Sequence, residues 1–167
     1  MAEPLRAENM QKSPLKAYKM LPGVHYVWVG ASCDYGHEER ASAGAYLLQR
    51  ENETIGSYVT SSFRTTEFRM ILTVMIRAME VLPEQSKIVF LTNVSYIQNF
   101  DKAPADRAND TDSPAVRAND DLIRTCIRLK ARHAEVQVKL VPYHKYPELP
   151  RTHEMAHEAM MELRKMK

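Results

Sequence analysis

The sequence predicts an α/β domain: a five-stranded mixed sheet with helices on both faces. Three observations carry this. Residues 24–61 hold three short β-rich runs separated by polar turns, the pattern of an antiparallel meander. Residues 65–82 hold one long amphipathic period, Phe68, Leu72, Met75, Met79 and Leu82, with Ile71 and Ile76 beside it. Residues 87–92, Lys-Ile-Val-Phe-Leu-Thr, are almost continuously apolar, as a strand buried on both faces requires. A strand, a helix and a second buried strand in succession imply a right-handed crossover, and so a parallel pair beside the meander.

Taken in order, residues 1–22 carry Pro4, Pro14 and scattered charges and read as a flexible N-terminal arm; residues 23–167 form one domain. The first strand is 24–30, after Pro22-Gly23, and 31–41 is a polar loop. Strands 43–50 and 54–61 are joined at Glu51-Asn52-Glu53, which suits a hairpin. The long helix starts at a Thr65 or Thr66 cap, has Glu67 in its first turn, and stops at Pro83. Residues 101–121 hold six Asp against three basic residues and repeat Arg-Ala-Asn-Asp at 107–110 and 117–120, which reads as an exposed acidic loop. Asn119 or Asp120 caps the next helix, which runs to His133 with Leu122, Cys126 and Leu129 on one side and Arg124, Arg128, Lys130 and Arg132 on the other. A strand at 135–141, a loop marked by Pro142, Pro147 and Pro150, and a last helix from about Thr152 complete the chain.

Composition narrows the function classes. With 167 residues the chain is long enough for one well-filled core. Its 23 basic and 21 acidic side chains leave no strong electrostatic footprint for nucleic acid. Two cysteines, Cys33 and Cys126, form neither a disulfide framework nor a zinc pattern, so a reducing cytoplasm is the expected setting. No apolar run has the length of a membrane span, and no membrane association is expected.

Five segments, in order, resemble the ribonuclease H family over about residues 24–163. Val-Gly-Ala-Ser-Cys at 29–33 stands where that family has Asp-Gly-Ser-Cys on its first strand. Residues 65–82, opening Thr-Thr-Glu-Phe-Arg-Met-Ile-Leu, resemble its first long helix, which opens Thr-Thr-Asn-Asn-Arg-Met-Glu-Leu. Residues 89–97 resemble its fourth strand, which ends Thr-Asp-Ser-x-Tyr-Val. Residues 119–144 resemble the helix, strand and loop ending in Val-x-Gly-His, and 151–160 its final helix with Asp-x-x-Ala.

The resemblance implies cleavage of the RNA strand of an RNA–DNA hybrid by two Mg²⁺ ions held on carboxylates. The matching positions here are Gly30, Ile71, Asn93 and His153. Charge at the site thus falls from about −4 to about zero, and with it the attraction for two divalent ions. The expectation is a catalytically inactive module that binds nucleic acid or a protein partner, with no cofactor and no metal. By the same resemblance, Ser32, Cys33, Thr66, Arg69, Asn93 and His144 are the candidate nucleic-acid contacts.

The alternative is a metal-dependent hydrolase. Glu67 lies one turn before Ile71 on the same helix face, and with Asp34 and Glu154 it would rebuild a site for Mg²⁺ or Mn²⁺. Otherwise His153-Glu154-Met155-Ala156-His157 fits H-E-x-x-H, two imidazoles on one helix face for zinc, with His144 or His37 to supply a third ligand from a loop. Against this, no long helix follows to carry that ligand. The plainer reading of Glu67, Asp34 and Glu154 is a first-turn acid, a loop residue and a solvated helix residue.

Overall fold

A computed structural model describes residues 15–98 and 119–166. The sheet runs β3-β2-β1-β4-β5, with β1 Val24–Cys33, β2 Ser42–Arg50, β3 Glu53–Ser62, β4 Lys87–Thr92 and β5 Glu135–Leu140. β1, β2 and β3 pair antiparallel, and β1–β4 and β4–β5 pair parallel, which is the expected mixed sheet. The described helices are α1 Glu67–Val81, α2 Asp120–Lys130 and α3 Glu148–Arg164. A 3₁₀ turn at Ser95–Ile97 follows β4.

Local chemistry sets these limits. Glu51 and Asn52 both have positive φ, 51° and 69°, the left-handed pair that a two-residue hairpin needs. Thr66 caps α1, its hydroxyl accepting from the Arg69 amide. Asn119 occupies the N-cap position of α2, but its Oδ1 accepts from Arg69 Nη1 at 3.4 Å instead of capping. Gly44 lets α1 lie close on β2, because a Cβ there would come within 2.8 Å of the Met70 carbonyl oxygen.

α1 and α2 cover one face of the sheet and α3 the other. Val27, Val29, Ile88 and Phe90 meet Ile71, Leu72, Met75, Met79, Ile123 and Cys126 on the first face. On the second, Ala41, Ala43 and Ala45 leave room for Ala156 and Met160 of α3. Trp28 is fully buried there, and its indole N–H donates to Gln49 Oε1 at 2.8 Å. Gln49 in turn donates to Glu148 Oε2 and Thr54 Oγ1. Each fully buried Ile, Leu or Phe contributes about 1.5–3 kcal/mol of transfer free energy, so both faces of the sheet add to stability.

Four expectations change. β1 continues to Cys33, so residues 31–33 are strand rather than loop. The Arg-rich helix ends at Lys130, short of His133, whose buried ring sits with Nε2 2.9 Å from the Met79 carbonyl. α3 begins at Glu148, not Thr152: Pro147 is its N-cap residue and Pro150 falls in its first turn, where a missing N–H costs nothing. The described part of the expected arm is anchored. Lys16 N–H donates to the Lys145 carbonyl, and Tyr18 packs against Tyr26, Trp28 and Tyr146 with ring centroids 5.2–5.8 Å apart. Most of the expected acidic loop, 101–118, lies outside the described residues, while Asp120 and Asp121 fall in the first turn of α2. Among the described residues no helix is long and apolar enough to cross a membrane.

Candidate functional site

The C-terminal ends of the parallel strands β1 and β4 are where the chain leaves the sheet in opposite directions, β1 toward β2 and β4 toward β5. Open α/β sheets take ligands at such a point. Here Gly30 on β1, Asn93 after β4 and His153 on α3 come together. A Cβ on Gly30 would lie 2.9 Å from His153 Cδ2 and 3.0 Å from its Nε2. The same Nε2 lies 3.3 Å from Asn93 Oδ1. The Tyr143 ring closes the other side, its centroid 5.1 Å from that of His153 and edge to face. Burial holds the His153 pKa below the ordinary histidine value, against the opposing pull of Glu67 and of the Ala31 backbone. Ile71 points away from solvent altogether: it is fully buried in the α1 side of the core.

Two of the three acids considered for a rebuilt site, Asp34 and Glu67, are held by neighbouring side chains. Asp34 Oδ2 pairs with Arg164 at 2.7 Å and Oδ1 accepts from the Gly36 amide at 3.0 Å. Glu67 Oε1 accepts from Tyr96 Oη at 2.6 Å; burial first, then this bond, raises the tyrosine pKa. The Glu67 amide donates to Tyr35 Oη. Glu154 is exposed and lines the same hollow as His153 and His157. His157 Nδ1 lies 3.5 Å from Ser32 Oγ, and both histidines line one hollow. No three His, Cys, Asp or Glu among the described residues stand together as a metal-holding group.

The candidate nucleic-acid contacts differ in freedom. Asn93 and His144 are exposed, and His144 stacks edge-on against Tyr143 at 4.8 Å. Cys33 Sγ accepts from the Ser42 hydroxyl, and the Thr66 hydroxyl is used in capping. Arg69 makes paired 3.2 Å bonds to both carboxylate oxygens of Asp121, holding that acid below the usual carboxylate range.

Two hollows open beside these residues. One, of about 790 Å³, is lined by Ala31, Ser32, Tyr143, Arg151, His153 and His157 among others. The other, of about 350 Å³, lies between the end of β3 and the start of α1, lined by Thr60, Ser62, Arg64, Thr65, Arg69 and Thr73 among others. Tyr143, Arg151 and the Tyr35–Glu67–Tyr96 clamp were missed by sequence reasoning. The sequence signal that points to Tyr143 is its place next to His144 in Tyr143-His144-Lys145-Tyr146.

No family model and no curated protein matches the sequence. Solved structures do match its fold. It is similar to LC9-RNase H1, a type 1 RNase H with the type 2 active-site motif, at a TM-score of 0.68 and 18% identity over 87% of this chain and 75% of that one. It is similar to RNase H1 from the halophilic archaeon Halobacterium salinarum NRC-1, at 0.58 and 15% over 81% and 98%. It is also similar to the foamy viral protease-reverse transcriptase in complex with an RNA/DNA hybrid, at 0.61 and 12%, over 87% of this chain and 21% of that one. The chain has the ribonuclease H-like fold.

Proposed function

We propose that this chain is a non-catalytic ribonuclease H-fold module that binds nucleic acid, an RNA–DNA hybrid first among the candidates, on the C-terminal edge of its parallel strands. The observation that carries the first half is the His153 ring against Gly30. It fills the space where a first-strand carboxylate would begin. The donor set does not fit a pair of Mg²⁺ ions: a glycine, a buried isoleucine, a neutral amide and an imidazole replace four hard anionic ligands. Binding therefore requires neither Mg²⁺ nor Mn²⁺.

The binding half is supported by the hollow at the start of α1. Thr60, Ser62, Thr65, Arg64 and Arg69 line it, beside the positive end of a 15-residue helix, with Arg64 paired to Glu39 and Arg69 to Asp121 in the ligand-free chain. Those are the groups that seat a phosphate. Similarity to RNases H, and to a protease-reverse transcriptase held in complex with an RNA/DNA hybrid, is consistent with this ligand class. A cytoplasmic setting suits the two free thiols, Cys33 and Cys126.

Fluorescence anisotropy with a labelled hybrid, a DNA duplex and single strands tests the reading. Binding is expected to survive EDTA and to weaken steeply between 50 and 200 mM salt. Cleavage of the RNA strand in Mg²⁺ or Mn²⁺, abolished by Glu67→Gln or Asp34→Asn, would overturn the non-catalytic half. No binding to any of these probes would overturn the other.

A further inference from the structure

β3 is a ten-residue strand at the outer edge of the sheet, and no strand among the described residues pairs with its free side. Edges of this length are normally blunted by lysine, proline or inward-pointing charge. β3 has none of these: from Thr54 to Phe63 there is no charged residue and no proline. An irregularity lies in β3 itself: Leu48 pairs with Gly56 and Gln49 with Thr54, so Ile55 is bulged out and the regular part of the edge is Gly56–Ser62. Val59 stands at its centre, 43% exposed, with Ile55 on the same flank, 52% exposed.

We propose that this edge pairs with the same edge of a second copy, antiparallel, about a two-fold axis at Val59, joining two sheets into one. The strand is self-complementary about that residue. Val59 meets Val59 of the other copy, Tyr58 meets Thr60, Ser57 meets Ser61 and Gly56 meets Ser62. The first two are branched and aromatic cross-strand pairs of the favourable kind. The nearest charges are of opposite sign at the two ends, Glu53 at the start and Arg64 just past the end. Arg64 pairs with Glu39 yet keeps its side chain 71% exposed. Antiparallel pairing brings each acid toward the other copy's base, whereas parallel pairing would set like charges side by side. One strand seam is a small interface, so the dimer belongs to the weak, concentration-dependent class.

Sedimentation velocity over a broad concentration range reads this directly. The expected result is a reversible monomer–dimer equilibrium in the micromolar range or weaker. Val59→Lys, at an exposed position, should weaken it at least tenfold while the circular dichroism spectrum and melting temperature stay near those of the parent. Arg124→Glu, on the distant α2 surface, should leave it unchanged. Val59→Cys should cross-link to a disulfide dimer under mild oxidation where the parent does not. A chain that stays monomeric at every concentration overturns the proposal. So does a dimer indifferent to Val59→Lys, and a dimer that Val59→Cys fails to cross-link overturns the register.

Discussion

The imidazole of His153 stands where a side chain on residue 30 would have to begin, 2.9 Å from the position of a Cβ on Gly30. Residues 123 positions apart therefore act as one packing unit, and neither can be changed without reference to the other.

Gly30→Ala should accordingly destabilise the fold by about 1–3 kcal/mol, the range for overpacking. In a His153→Ala background the same substitution should cost much less, a coupling of about 1 kcal/mol or more. Urea unfolding of the four proteins in this cycle measures it. Additive costs would show that the ring moves aside freely and that the contact constrains nothing.

Restoring a carboxylate on α1 should fail for a different reason. Ile71 is fully buried among Val27, Phe90 and Met75, where no cation waits for a charge. Ile71→Glu should cost on the order of 3–5 kcal/mol at neutral pH, less in acid where the carboxyl is neutral. Ile71→Val should cost about 1 kcal/mol. Thermal melts at pH 5 and pH 8 separate the two effects. A stable Ile71→Glu protein that cleaves hybrid in Mg²⁺ would contradict both this prediction and the inactive reading.

Two histidines set the response to mild acid. Burial lowers the pKa of His153, and burial followed by Arg50 lowers that of His25. A ring that resists protonation in the fold, with an unfolded value of about 6.5, leaves the unfolded chain to bind the extra proton first. Stability from both is thus full above about pH 6.5 and is lost as pH falls from there toward the folded values. Unfolding midpoints between pH 7.5 and 5.5 should decline, and less so in His25→Gln/His153→Gln. NMR titration should place both imidazoles below pH 6.5; a midpoint at or above that value for either removes its share of the effect.

Periodicity made most of the fold legible. Alternation and apolar runs located the five strands, and Phe68, Leu72, Met75 and Met79 fixed α1 to within two residues at each end. The misses have local causes. Pro147 and Pro150 looked like loop markers, but both stand at the start of α3, where proline is tolerated. Tyr18 was hidden among charged and proline residues, and only its distant partners Trp28 and Tyr146 reveal that it packs. Resemblance singled out Gly30, Ile71, Asn93 and His153, but not that Gly30, Asn93 and His153 meet while Ile71 lies in the core. Nothing near residue 30 announces a histidine on α3, and nothing near Asp34 announces Arg164.

Trp28 is the one tryptophan in the chain, and Tyr18 and Tyr146 touch it at 5.8 and 5.6 Å. That nest is a built-in optical gauge. Excitation absorbed by Tyr18 drains into the indole, so deletion through Tyr18 should lower the indole emission excited through tyrosine and shift the indole band to the red, while deletion that stops ahead of Leu15 should leave the spectrum alone. A cuvette and a lamp suffice to tell whether the segment before β1 is seated.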